Sequence, residues 1–187
     1  MNSDKEITYP GKEAESVIDQ AAGAKGKGVF LILAGRNRSA MSDFVSKIEK
    51  KTGSLHKVDL REVVSTHEEE TYANLDRLFE ELAGEDKTIL LMNGDVLSGE
   101  YTGFTYSTQR YATPQQKYLQ KRITESGKVV LLELKDDANV TNSFLRKSTS
   151  VIRFPVPQSG FAKLIWKLRQ IRVHGHTFEN RRPLDVR

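Results

Sequence analysis

The stretch TILLMNGDVL, residues 88–97, decides how the rest of the chain is interpreted. Its first five residues are apolar or nearly so, do not alternate with polar residues, and end at Asn93 and Gly94. A strand that helices cover on both faces of a parallel sheet has this pattern, because none of its residues faces water. The stretch therefore predicts a central strand of a parallel α/β sheet with a polar corner at its carboxyl end.

The composition is that of one globular domain. The chain has 187 residues, of which 37% are hydrophobic and 29% charged, and its net charge is +4. That mild charge permits contact with acidic surfaces without requiring nucleic acid. Cysteine is absent, which excludes disulfides and cysteine-ligated metals. No apolar run approaches the ~20 residues that cross a bilayer, so we expect a cytoplasmic protein with no membrane contact.

The remaining segments alternate between strand and helix patterns, which favours a three-layer α/β domain with a parallel five-stranded sheet. The other strands are predicted at 29–34, 55–60, 128–134 and 150–154. Helices are predicted at 12–24, 41–51, 66–82, 113–127, 139–147 and 160–173. We expect one domain over residues 10–173, with a flexible N-terminus at 1–9, a loop at 98–112 and a basic C-terminal tail at 174–187.

Several local patterns, in their order and spacing, resemble the large nucleotide-binding domain of the AAA family of ATPases over about residues 12–170. Residues 89–97 resemble the Walker B strand of that family, and residues 118–123 resemble the helix before its fourth strand. Residues 143–147 and 154–157 resemble the segment with the arginine finger and the closing strand. The resemblance implies a P-loop NTPase fold without the family's small helical domain, because only the helix at 160–173 follows the last strand.

The phosphate-binding loop implied by this resemblance is degenerate. Such a loop reads G-x-x-x-x-G-K-[ST], since its backbone wraps phosphates while the lysine and hydroxyl meet the γ-phosphate and magnesium. Gly35 matches the first glycine and Ser42 the hydroxyl. Ala40 replaces the second glycine, and Met41, which carries no charge, stands at the lysine position.

The other catalytic positions are altered as well. Asn93 and Gly94 occupy the places of the Walker B acidic pair, and Lys135 falls where the family has a sensor asparagine. Arg146 matches the arginine finger, but Lys147 replaces the arginine that follows it and lacks the planar fork that grips phosphate at two points. The resemblance therefore implies a domain that hydrolyses no ATP and needs no cofactor or metal.

We interpret the chain as a catalytically inactive scaffold or assembly subunit that binds a protein partner or further copies of itself. By family analogy alone, the partner could belong to a phage-tail-like injection machine. The interface candidates lie near the C-terminus, where Trp166 stands beside the apolar stripe of the last helix as a possible anchor; the others are Ile171, Arg181 and Arg182.

Two alternatives stay open. A nucleotide sensor would bind ATP without hydrolysing it, using Arg36 and Arg38 in place of the missing lysine, although solvated charges or contacts with a neighbour explain these arginines better. A nucleic-acid-binding protein would use the basic C-terminal segment. A helix with a polar outer surface gives the same pattern, so the sequence disfavours nucleic acid as the partner.

Overall fold

The computed structural model describes residues 5–24, 27–85, 87–97, 100–102, 110–157, 160 and 163–164. The strands are β1 (Glu6–Thr8), β2 (Val29–Ala34), β3 (Leu55–Asp59), β4 (Thr88–Met92), β5 (Glu100–Thr102), β6 (Arg110–Ala112), β7 (Val129–Leu134) and β8 (Ser150–Arg153). The helices are α1 (Lys12–Gly23), α2 (Arg38–Thr52), α3 (Leu60–Val63), α4 (Glu68–Glu81), α5 (Pro114–Ser126) and α6 (Asn142–Lys147). Short 3₁₀ turns lie at Gly94–Leu97 and Asp137–Asn139.

Six of these strands form one parallel sheet in the order β1-β8-β2-β7-β4-β3. The central strand β2 pairs Leu31 with Leu131 of β7 and Ile32 with Val151 of β8. The predicted α/β class and parallel sheet are confirmed, but the five-stranded sheet is wrong by one strand. The sequence interpretation placed residues 6–8 in a flexible N-terminus, whereas they pair with β8 and form an edge of the sheet. Three mostly polar residues carry too little periodicity to reveal such a strand.

Helices cover both faces of the sheet, and alternate residues of each central strand enter different cores. Phe30 and Ile32 of β2 join the core beneath α4, α5 and α6. Leu31 and Leu33 join the second core, beneath α1 and α2. This burial on both sides explains why residues 29–34 form an unbroken apolar run.

The helix ends follow their local chemistry. The Asn37 side chain caps α2 by accepting from the Ala40 N–H at 3.3 Å, and Gly53, with φ of +88°, ends that helix. Thr113 caps α5, as predicted, by accepting from the Gln116 N–H at 3.2 Å. Residue 66 was predicted to cap α4, but the helix begins at Glu68. The helix has no side-chain cap, and three acidic residues in its first turn stabilise the positive N-terminal end of the helix dipole.

Two predicted regions differ from the structure or extend beyond its described part. The predicted loop at 98–112 contains the antiparallel pair β5–β6, in which Glu100 lies opposite Ala112. Of the helix predicted over 160–173, residues 160, 163 and 164 are described and helical. Trp166, Ile171, Arg181, Arg182 and the tail at 174–187 lie outside the described residues.

Within the described residues, no helix is both long and apolar enough to cross a membrane.

Candidate functional site

The carboxyl ends of β2, β7 and β4 form the candidate site. Ligands of open α/β sheets bind in the crevice at this edge, because the loops that follow parallel strands converge there. Here the edge collects the loop at 35–38, the corner at 93–95 and the turn at 135–139, from β2, β4 and β7 respectively. Of the nucleotide positions in the sequence interpretation, Gly35, Asn93, Gly94 and Lys135 fall in these three segments. The others lie in α2 and α6.

Gly35 presses the first loop against the end of β8. Its φ is +132°, and its N–H donates to the Leu134 carbonyl at 3.3 Å. A Cβ atom at this position would lie 2.5 Å from the Phe154 carbonyl oxygen. Glycine is therefore required here by the close approach of two backbone segments, which accounts for the residue without any phosphate.

Arg36 forms an ion pair with Asp136 across the edge. Its Nε donates to the Asp136 Oδ2 at 3.0 Å, and its Nη2 contacts the same oxygen. This hydrogen bond holds the pKa of Asp136 below its usual range, with help from the Ala138 N–H. The Arg36 side chain is 72% exposed, so the pair lies at the rim of the edge.

Arg38 is engaged more deeply than Arg36. Its Nη1 contacts the Glu133 Oε1 as an ion pair, and the two side chains are 21% and 17% exposed. The same nitrogen lies 3.5 Å from the Met41 Sδ. Both arginines that the sequence offered as substitutes for the missing phosphate-binding lysine are therefore held by acidic side chains of β7 and the turn after it.

The remaining positions of the degenerate loop belong to α2. Ala40 donates its N–H to the Asn37 cap, and Met41 is only 3% exposed, packed into the core beneath α1 and α2. Ser42 is exposed on the helix surface. Met41 thus serves the core, which is the physical reason for an apolar residue at that position.

The corner after β4 is closed by hydrogen bonds. Asn93 has a φ of +58° and donates its Nδ2 to the Asp59 Oδ1 at 2.9 Å. Arg61 donates its Nε to both Asp59 oxygens at 3.0 Å. The Arg61 hydrogen bonds hold the pKa of Asp59 well below its usual range, and the Asn93 amide lowers it further. Asn93 therefore links the ends of β4 and β3.

Gly94 has no room for a side chain. It is buried, and a Cβ atom would lie 2.6 Å from the Leu132 Cδ1 and 3.0 Å from the Glu133 carbonyl oxygen. A carboxylate could enter this position only if the Leu132 side chain or the adjacent backbone moved. Glycine fits this position because the corner crosses close over β7.

Asp95 is the residue that sequence reasoning missed. Its two carboxylate oxygens accept from the Lys135 N–H at 2.9 and 3.0 Å, and Oδ1 also accepts from the Asn139 Nδ2 at 2.6 Å. It fastens the β4 corner to the turn after β7. An acidic residue directly after a buried strand was the available signal. Lys135 contributes its backbone to this clamp, and its side chain is exposed.

Arg146 and Lys147 do not join the other positions. Both are exposed at the end of α6. Shortly after them, the Thr149 N–H donates to the Phe30 carbonyl at 2.7 Å, beside the amino end of β2. The structure therefore brings together the positions on the three loops, and it places the two α6 residues towards the other end of the sheet.

Comparisons with known proteins add a fold likeness and no family. No family model and no curated protein sequence matches this chain. Among solved structures, it is similar to a chain in the structure of the E. coli MS115-1 HORMA:CdnC:Trip13 complex, with 12% identity and a TM-score of 0.53. The match covers 86% of this chain and 60% of that chain. Identity this low shows a shared fold alone.

These findings correct the assignment to the AAA family of ATPases. The matching structure is described as a HORMA:CdnC:Trip13 complex and not as an AAA ATPase, and no family model supports the assignment. The local matches on which it rested were short, and apolar strands with polar corners recur in many α/β proteins. The analogy to phage-tail-like injection machines rested on that assignment alone and falls with it. The fold itself, a parallel α/β sheet with helices on both faces, stands.

Proposed function

We propose that this chain is a non-enzymatic domain that acts through contacts with protein chains, as a scaffold or an assembly subunit. The observation that carries the proposal is the closure of the carboxyl edge by contacts within the chain. Arg36, Arg38 and Asp95 all bind partners from β7 or the turn that follows it. The cytoplasmic location inferred from the sequence is part of this proposal.

Hydrolysis of a nucleotide triphosphate needs cations for the phosphates, an acidic ligand for magnesium and a group that orients water. At this edge Arg36 and Arg38 already form ion pairs within the chain, Asn93 offers an amide bound to Asp59, and the Cβ of a residue at position 94 would meet Leu132 and Glu133. A bound phosphate would have to break an existing ion pair before it gained an arginine contact. That requirement opposes the nucleotide-sensor alternative as well.

Two observations support a role in protein contacts. The fold is similar to that of a chain in the structure of a HORMA:CdnC:Trip13 complex, and one face of the sheet keeps an open groove beside α2. The first observation concerns fold alone, so the groove carries more weight. The nucleic-acid alternative depended on the basic tail, and no feature of the described residues favours it.

The proposal is tested by measuring phosphate release from ATP with magnesium, together with sedimentation of the purified chain. We expect release no faster than the buffer background and an assembled state, alone or with a protein partner. Steady release that disappears in the Ser42→Ala variant, while Ser46→Ala keeps it, contradicts the proposal. Ser46 is the matched control because it is exposed on the same helix.

A further inference from the structure

A groove with a volume of about 330 Å³ runs between α2 and the β3–β4 part of the sheet. We call it the α2 groove, defined by Val45 and Glu49 on α2, Lys57 on β3, and Leu90 and Met92 on β4. It exists because, among the described elements, α1 and α2 are the helices on this face and they pack mainly over the centre of the sheet. The edge strand β3 and its neighbour β4 are left partly open.

The floor of the α2 groove is apolar. Val45 and Leu90 lie at its base, and Met92 remains partly exposed. Methionine adapts its shape to different neighbours and is frequent at binding surfaces. Two core side chains and this methionine therefore form a small apolar floor between the polar walls of the groove.

The rim carries one acidic and one basic side chain on opposite walls. Glu49 projects from α2, and Lys57 is exposed on β3. Neither forms an ion pair with any residue in the described part of the chain. By contrast, Arg38 and Glu133, which also line the groove, already bind each other. The unpaired charges of the groove are therefore one of each sign, separated by apolar floor.

Such a surface is complementary to itself under two-fold rotation. In a two-fold dimer, if residue i of one copy contacts residue j of the other, then j also contacts i. A two-fold axis that passes between the α2 wall and the β3 wall brings each Glu49 to the Lys57 of the other copy and forms two ion pairs around a shared apolar centre. Ser42 and Ser46, small and exposed on the groove side of α2, let the two helices approach closely.

We propose that a second copy of this chain docks on the α2 groove and forms a two-fold dimer in which Glu49 pairs with Lys57 of the other copy. This inference deepens the proposed role in protein contacts and rests on it. It commits to self-association through one face of the sheet. The partly exposed Met92 becomes buried in the dimer, and the helices on the opposite face remain free.

Disulfide trapping tests the contact directly, because the chain has no cysteine of its own. Glu49→Cys and Lys57→Cys proteins are prepared separately, then mixed under mild oxidation. We expect a cross-linked dimer in the mixture and little in either protein alone, since each mixed dimer places position 49 beside position 57 and keeps one native ion pair. Equal cross-linking in the mixture and in the separate proteins overturns the proposal.

Charge reversal gives the second test. Glu49→Lys or Lys57→Glu alone places like charges together at both symmetric contacts, so the dimer Kd should rise roughly tenfold or more. The double variant should recover most of the affinity. Glu81→Lys on α4 and Lys117→Glu on α5 make the same charge changes on the opposite face, and they should leave the Kd unchanged.

Sedimentation equilibrium supplies the Kd, and circular dichroism confirms that each variant is folded. A chain that stays monomeric at every concentration overturns the inference, and so does a dimer whose Kd ignores both reversals. A monomer that binds a different protein removes this dimer and leaves the proposed function in place. Hydrolysis of ATP would contradict the proposed function, and it is measured in a separate assay. A failure of the dimer and a failure of the proposed function are therefore distinguishable.

Discussion

The carboxyl edge of the sheet and the α2 groove use charged residues in opposite ways. At the edge, the pairs Arg36–Asp136, Arg38–Glu133, Arg61–Asp59 and Arg153–Glu6 close within the chain. In the groove, Glu49 and Lys57 lie on opposite walls, and neither has an ion-pair partner among the described residues. The difference teaches that the carboxyl edge, where α/β proteins usually bind ligands, here uses its arginines to hold the fold together. The α2 groove, on a face of the sheet, leaves one acidic and one basic side chain open to another molecule.

The closure of the edge also ties distant elements together. Arg153 of β8 binds Glu6 of β1 at 3.0 Å and Asp137, in the turn after β7, at 2.9 Å. Asp95 fastens the β4 corner to the same turn. The edge is thus a network in which removing one member leaves buried or half-buried groups unsatisfied. We therefore expect substitutions at the edge to lower the free energy of unfolding.

The largest effect is expected at Gly35. Gly35→Ala forces a Cβ atom towards the Phe154 carbonyl oxygen and keeps an alanine at a φ of +132°. We expect the free energy of unfolding to fall by roughly 3 kcal/mol in urea titrations. Gly84→Ala is the control, because its added Cβ meets nothing within 4 Å. A Gly35→Ala protein as stable as the control contradicts the tight closure of the first loop.

Gly94→Glu would restore an acid at the corner after β4. Because the added Cβ meets Leu132 and the Glu133 carbonyl, we expect a loss of roughly 2 kcal/mol in unfolding free energy. ATP hydrolysis should remain at background. Urea unfolding and phosphate release measure the two effects. A stable variant that gains hydrolysis shows that the edge still holds a usable nucleotide site.

The variants Arg38→Ala and Arg36→Ala compare the stability contributions of two ion pairs in the same loop. The Arg38 pair is half-buried, and the Arg36 pair lies at the rim. Removing Arg38 leaves Glu133, 17% exposed, without its cation, so the unfolding free energy should fall by roughly 1–3 kcal/mol. Arg36 is 72% exposed, and its removal should cost about 0.5 kcal/mol or less. Thermal or urea unfolding of both variants decides the order. An equal or reversed order contradicts the assignment of Arg38 as the deeper contact.

Asp59→Asn should destabilise the protein by about 1 kcal/mol at neutral pH, since it weakens hydrogen bonds from Arg61 and Asn93. The pKa of Asp59 is lowered in the folded state, so its contribution is complete above the usual Asp pKa of about 3.9 and is lost as the pH falls towards the folded value. Urea unfolding of both proteins at pH 7 and at acidic pH should show the difference narrowing. A difference that widens on acidification contradicts the depressed pKa.

Much of the fold was predictable because the central strands are buried on both faces. For that reason residues 29–34 are all apolar, and residues 129–134 are apolar except for Glu133. Helix caps such as Thr113 act within a few residues. The edge strand β1 was missed, since its pairing depends on β8 across more than half of the chain.

The site was less predictable: Arg38 and Glu133 are 95 positions apart, and no local pattern joins them. The family assignment failed because it relied on such local patterns.

Calorimetric titration with magnesium-ATP tests the central claim that the carboxyl edge is closed within the chain. Because Arg36 and Arg38 are already bound to Asp136 and Glu133, we predict no saturable heat at millimolar nucleotide for the wild-type protein. Saturable micromolar binding that weakens in the Arg38→Ala variant, with the protein still folded, would show that the edge opens to a nucleotide and would contradict the claim.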